Sequence, residues 1–158
     1  MKEAAMIRVK NILVPTDFSE HSDTAVLYGC ELASRFDADL HLLHVVEFTP
    51  LMYGEGAYFA PETEAQLEHD AQQLIGDIPA PEWRSRIPNV TRSTLRGHPL
   101  PEICRYAKEQ NIDLIILGTH GRGAIAHVLL GSVAEKVVRK APCPVLTVHH
   151  PEREFVMP

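Results

Sequence analysis

An α/β fold, with an open five-stranded parallel sheet and helices on both faces, is what this sequence predicts, and two observations carry that reading. Short apolar runs alternate with segments of helical periodicity along the whole chain. The connections between runs are long enough for parallel crossovers, which are right-handed in such sheets. At 158 residues the chain has the length of one ordinary domain, and a single domain over residues 1–158 is expected.

Each element follows from local chemistry. Residues 7–14 read as a strand that ends on Ile12-Leu13-Val14, and Pro15-Thr16-Asp17 stops it. Ser19 is placed to cap a helix over residues 20–36, where Ala25, Tyr28, Leu32 and Ala33 recur at helical spacing. Residues 40–46 form a second strand, apolar on both faces as a buried parallel strand must be. The loop over residues 47–61 carries Met52, Tyr53, Tyr58 and Phe59 between glycines and Pro61. It reads equally as a cover over a ligand or partner site and as an aromatic flap packed on the domain. Residues 62–75 give a short, polar helix, and Pro79, Pro81 and Pro88 mark a non-helical spacer. Residues 89–95 are a third strand, and Gly97-His98-Pro99 turns the chain into a helix that ends near Gln110. Residues 112–117 are an almost wholly apolar fourth strand. A glycine-bearing connection follows, Gly131-Ser132 opens a last helix to Lys140, and residues 144–149 are the fifth strand.

Composition narrows the function. With 45% apolar and 23% charged residues the chain is globular, not disordered or fibrous. A formal net charge of −6 argues against nucleic acid or an anionic membrane as partner. No run approaches the ~18 apolar residues of a membrane span. The first ten residues hold no leader-like apolar run, and Cys30, Cys104 and Cys143 are too scattered for a disulfide framework. A cytoplasmic protein with reduced, buried thiols is expected.

One segment stands out. Gly118-Thr119-His120-Gly121 is followed, nine residues on, by Gly131-Ser132, between the most apolar strand and a helix. Residues 118–140 carry Arg122, Lys136, Arg139 and Lys140 against Glu135 alone, a net +3 within an acidic chain. Glycines let backbone N–H groups approach a ligand, and a helix N-terminus favours an anion. These are the requirements of a phosphate site. The P-loop lysine is absent, because no lysine follows a glycine. Gly121-Arg122-Gly123-Ala124-Ile125-Ala126 matches a dinucleotide fingerprint, but it follows the fourth strand rather than the first. His41 and His44 lie three apart on a strand and point to opposite faces, and His149-His150 fail by the same parity, so no protein-ligated metal is expected. Asp17, just past a strand and before a helix, reads first as a turn or capping residue. Lys136, Arg139 and Lys140 read as a solvated helix end.

The spacing Gly118-x-x-Gly121-(nine residues)-Gly131-Ser132 resembles the ATP-binding signature of the universal stress protein family. The resemblance extends to Asn11-Ile12-Leu13-Val14-Pro15-Thr16-Asp17-Phe18-Ser19, to Leu43-His44-Val45-Val46, to Gly97-His98-Pro99, and to Ala141-Pro142-Cys143-Pro144-Val145-Leu146-Thr147-Val148. It covers residues 7–149, apart from an unrecognisable middle over residues 48–94. The resemblance implies strand order 3-2-1-4-5 in an adenine nucleotide alpha hydrolase-like fold. It implies that Pro15, Thr16 and Asp17 line the adenine and ribose end of a crevice and that Val45 packs near the base. Gly118, His120, Gly121 and Arg122 would approach the ribose and phosphates, and Gly131, Ser132 and Val133 would hold the phosphates. ATP is the implied ligand, in many members with a divalent ion such as Mg or Mn on its phosphates. A homodimer through Val145, Leu146, Thr147 and Val148 is implied too.

No nucleophile–base pair and no paired carboxylates are evident, so no catalytic residue is assigned and little or no ATP hydrolysis is expected. Two alternatives stay open: an adenine-nucleotide hydrolase or transferase, and an interaction module in which the glycines are structural.

Overall fold

The computed structural model describes residues 6–47, 61–119 and 130–149. The elements are β1 (Asn11–Pro15), α1 (Glu20–Phe36), β2 (Asp39–Val46), α2 (Pro61–Asp77), α3 (Pro81–Arg84), β3 (Val90–Arg96), α4 (Pro99–Glu109), β4 (Leu114–Gly118), α5 (Ser132–Lys140) and β5 (Val145–Val148). The five strands pair in parallel in the order β3-β2-β1-β4-β5, as expected.

The central place of β1 follows from where apolar residues must go. β1 is the central strand, and Ile12, Leu13 and Val14 are fully buried on both of its faces. Ile12 and Val14 point to the face covered by α1, with Leu40, Leu42, Ile116 and Val148. Leu13 points to the face covered by α4 and α5, with Leu43, Ile103, Ile115 and Val137. A sheet buried on both faces needs continuous apolar strands, and these runs supply them.

Local chemistry sets the helix ends. Ser19 caps α1, its Oγ accepting from the Ser22 amide at 3.3 Å. Asp37 closes α1 in the left-handed region at φ 54°, and the Ala38 amide returns to the Ala33 carbonyl at 2.9 Å. Gly29 lets α1 lie close on β1, because a Cβ there would stand 2.5 Å from Val14 Cγ2. At the amino end of the sheet, the Asp113 carboxylate accepts from the amides of Lys10 (2.8 Å) and Asn11 (3.0 Å), which ties β1 to β4.

The structure corrects three boundaries. β1 begins at Asn11 and not at Ile7, which is 93% exposed: pairing with β2 starts only at Asn11↔Asp39, so Ile7 has no neighbouring strand to join. The spacer after α2 contains a helical turn, α3, because Pro81 occupies a first-turn position where its missing N–H costs nothing. The helix read as residues 62–75 runs through Asp77 and packs Ala71 and Ile75 inward.

The strand order reverses between β1 and β4: the chain proceeds outward through β2 and β3, then crosses to β4 and β5. The carboxyl ends of β1 and β4 mark the switch point, the place at which open α/β sheets bind ligands.

Candidate functional site

On the β1 side of this switch point the turn after Pro15 is held from several directions. The Thr16 amide donates to the Leu43 carbonyl at 2.8 Å, which carries the β1–β2 pairing one residue past the strand. The buried Thr16 hydroxyl accepts from the Phe18 amide and shares a hydrogen bond with Ser22 Oγ, both at 3.0 Å. The Thr16 carbonyl accepts from His44 Nδ1 at 2.7 Å, so that nitrogen carries the hydrogen. Phe18 is in the left-handed region at φ 61°, and its ring lies 4.4 Å from that of His44. Asp17 Oδ1 accepts from the Ser19 amide (3.1 Å) and hydroxyl (2.6 Å), the turn and cap role expected of it. Backbone and side chains of the turn are therefore fixed before any ligand arrives.

On the β4 side, Gly118 pairs with Val148, and the chain continues into Thr119, which is 1% exposed. The Thr119 amide donates to the Val148 carbonyl at 2.9 Å, and its hydroxyl shares a 3.2 Å hydrogen bond with His149 Nδ1. Its carbonyl accepts from the Gly131 amide at 2.6 Å. The two ends of the glycine-bearing connection thus meet at one point beside β5. Thr119 has a role here that the sequence alone does not assign to it. Its signal was a hydroxyl lodged between Gly118 and His120 directly after the most apolar strand.

Gly131 is the N-cap of α5 and has no side chain to satisfy the first-turn amides. Its own amide is committed to Thr119, and the first intrahelical bond runs from the Glu135 amide to the Gly131 carbonyl, so the first-turn donors of α5 are the amides of Ser132, Val133 and Ala134. Ser132 and Val133 are exposed residues, whereas Ala134 behind them is buried. Val45 is half-buried beside Leu95 on the face covered by α4. His120, Gly121 and Arg122 lie outside the described residues, as do residues 48–60 of the aromatic loop.

Other groups are accounted for elsewhere. His41 and His44 do point to opposite faces. His41 is buried, and its Nδ1 shares a 3.1 Å hydrogen bond with the Tyr106 hydroxyl, which also meets Ser93 Oγ at 3.2 Å. Burial lowers the His41 pKa, against a smaller upward pull from Asp39. The Cys30 thiol is pushed up to about 12 by burial and then by Glu31. Burial raises Cys104 and Cys143 as well, although both are only half-buried, a correction to the expectation of three buried thiols. None of the three has the lowered pKa of a nucleophile. Lys136, Arg139 and Lys140 are exposed, with Arg139 paired to Glu135 at 3.1 Å, the solvated helix end expected of them. Among the described residues no group of three or more His, Cys, Asp or Glu is arranged to hold a metal, and no helix is long and apolar enough to cross a membrane.

Comparison with known proteins agrees with this geometry. Residues 8–149 match the universal stress protein family. Universal stress protein MJ0531 of Methanocaldococcus jannaschii is 34% identical over 149 residues, covering 92% of this chain and 85% of its own. Among solved structures, the protein MJ0577 is 30% identical with a TM-score of 0.79, over 95% of this chain and all of its own. Two more distant structures share the fold. A universal stress protein in complex with cAMP is 24% identical with a TM-score of 0.63, over 90% of this chain and 98% of its own. A family protein from Arabidopsis thaliana with AMP bound is 20% identical with a TM-score of 0.63, over 89% of this chain and 92% of its own. A family match across nearly the whole chain, on a sheet of order 3-2-1-4-5, means that this chain belongs to the universal stress protein family.

Proposed function

We propose that this protein binds ATP in the crevice between the carboxyl ends of β1 and β4, and acts as a cytoplasmic, nucleotide-dependent regulator that turns ATP over slowly or not at all. The observation that carries this reading is the mouth of α5. Its N-cap lacks a side chain, and its first-turn residues Ser132 and Val133 are exposed where the chain leaves β4 at the switch point of the sheet. The amides of Ser132 and Val133, with the Ser132 hydroxyl, hold the phosphates. Gly131 contributes by carrying no side chain over them and by anchoring the loop through Thr119. Pro15, Thr16, Asp17 and Val45 line the base and ribose end, and Gly118, His120, Gly121 and Arg122 complete the ribose and phosphate contacts. The donor set is amides and a hydroxyl, which suits anionic oxygens. A divalent ion, Mg or Mn, rides on the phosphates rather than on protein ligands. The family structures that hold cAMP and AMP are in keeping with an adenine nucleotide as ligand.

Equilibrium titration of the purified protein with ATP, AMP and cyclic AMP tests the reading, with Gly131→Val as the variant whose bulk closes the mouth. Saturable binding lost in Gly131→Val supports it. Indifference of the wild type to roughly millimolar ATP overturns it. Phosphate release faster than about one per second favours the hydrolase alternative.

The same reading includes a homodimer through Val145, Leu146, Thr147 and Val148. β5 is an edge strand, and its Leu146 is 36% exposed, an apolar edge of the kind that a second copy covers. Leu146→Lys is expected to sediment as a monomer, and an unchanged dimer would exclude this interface.

A further inference from the structure

At the opposite, amino end of the sheet, α2, α3 and β3 surround an open concavity of about 440 Å³, lined by Gly76, Arg84, Ile87, Pro88, Val90 and Arg92. That volume falls within the range of small-molecule sites. Two of its six lining residues are arginines, in a protein whose net charge is −6.

Arg92 differs from the next arginine along β3. Val90, Arg92 and Arg96 lie on one face of β3, the face that α2 covers. Arg96 is matched there by two carboxylates of α2, Glu64 and Glu68. Among the described residues Arg92 and Arg84 meet no carboxylate within ion-pair distance, although the exposed Asp77 and Glu82 lie on the flanking helices. Arg92 Nε donates to the Ile78 carbonyl at 2.7 Å, which fixes the direction of its guanidinium. Arg84 makes a long contact of 3.4 Å to the Gly76 carbonyl. Each guanidinium has five N–H donors and gives one to these carbonyls, so most of both forks remain. Burial, with the charge of Arg84 adding to it, lowers the pKa of Arg92. Two like charges, the half-buried Arg92 and the exposed Arg84, thus share a hollow whose wall also includes the apolar Ile87, Pro88 and Val90. An oxyanion would relieve that repulsion, and its planar or tetrahedral oxygens match the fork geometry of arginine.

We propose that this concavity is a second ligand site, separate from the crevice at β1 and β4, and that it takes a small organic anion through a phosphate or carboxylate group held between Arg84 and Arg92.

The only tryptophan of the chain, Trp83, is the neighbour of Arg84 in α3 and carries the Arg86 guanidinium 4.4 Å from its ring centre. Its fluorescence therefore reports on this end of the molecule and not on the nucleotide crevice. The full-length protein is titrated with inorganic phosphate, pyrophosphate and citrate while Trp83 emission is read. A saturable change at roughly millimolar concentration or below is expected, with Arg84→Gln and Arg92→Gln each weakening it by about ten-fold or more. Arg84 is exposed, so Arg84→Gln keeps the test valid if Arg92→Gln fails to fold. Preference for pyrophosphate identifies a phosphate group, and preference for citrate a carboxylate. No saturable change with any of the three probes overturns the proposal, and so does a change that both substitutions leave intact. The outcome is independent of the nucleotide reading, because ATP binding is measured at the other end of the sheet.

Discussion

The amide of Gly131 donates to the carbonyl of Thr119 across 2.6 Å, and this contact brings both ends of the connection between β4 and α5 to one place beside β5. It also removes the Gly131 amide from the set available to a ligand. The conformation of Gly131 is ordinary, φ −64° and ψ 154°, so the backbone there does not require glycine. What glycine leaves at this N-cap is a first turn with no capping side chain over its amides.

That division of labour predicts an unusual substitution result. Ser132 is the first residue of α5, where proline fits the helix and its missing N–H breaks no internal bond. The extended conformation of Gly131 is the one that a residue preceding proline prefers. Ser132→Pro should therefore fold with an unchanged melting temperature yet lose about ten-fold or more in ATP affinity, through one lost amide and one lost hydroxyl. Ser132→Ala, which loses only the hydroxyl, should lose less. Calorimetric titration of both variants decides it; equal affinities for wild type and Ser132→Pro would remove α5 from the site.

The packing of α1 on β1 makes a second, paired prediction. A Cβ at Gly29 would stand 2.5 Å from Val14 Cγ2, and Val14 is fully buried with nowhere to move. The helix-propensity gain of Gly29→Ala, about 1 kcal/mol, works against an overpacking cost of about 1–3 kcal/mol. The steric side wins, because the overlap is far inside contact distance and the neighbour is β-branched. A net loss of roughly 1 kcal/mol or more is expected in urea denaturation. Gly76, in α2, has nothing within 4 Å of the same atom, so Gly76→Ala should be neutral or stabilising by about 0.5 kcal/mol.

These contacts indicate how far the sequence could be read. The existence of the five strands and the α1 cap were legible, because apolar runs and a serine before a periodic segment act locally. The family resemblance supplied the sheet order, and the switch point followed from it. Ile7 misled because an apolar residue carries no mark of whether a partner strand reaches it; β2 starts its pairing at Asn11↔Asp39. Helix α3 was hidden by Pro81, which reads as a breaker from sequence and acts as a helix start in the fold. Thr119 escaped because its role is made by Val148, Gly131 and His149, all distant in sequence. Arg92 was invisible for the same reason: a charged residue in an edge strand reads as solvated until Ile78 and Arg84 are seen around it.

Cys30 should be chemically silent in the native protein. Its thiol is fully buried and its pKa is pushed up from 9.0 to about 12, which cuts the thiolate at a given mildly alkaline pH by about a thousand-fold. Alkylation by iodoacetamide followed by mass spectrometry should modify Cys30 only under denaturing conditions. Cys104 and Cys143, also raised but half-buried, should react sooner. Modification of Cys30 at the rate of a free thiol would contradict its placement between α1 and the sheet.

His41 sets a pH dependence whose sign can be worked out. The neutral ring accepts or donates one hydrogen bond with Tyr106, which is passed on to Ser93, and the protonated ring could keep that bond by donating. What the protonated ring lacks is water, and burial lowers its pKa in the folded state below the ordinary 6.5, with Asp39 opposing only in part. A base whose folded pKa is depressed binds its proton more readily when unfolded. Stability is therefore full above about pH 6.5 and falls as the pH drops through that value towards the folded pKa, where the loss levels off. In His41→Leu the apolar side chain removes the titrating group and leaves the Tyr106–Ser93 hydrogen bond in place. Urea denaturation at about pH 8 and about pH 5 should give a smaller acid-induced loss for His41→Leu than for wild type. Equal losses would assign the acid sensitivity to other groups and would mean that the ring is more hydrated than its 8% exposure implies.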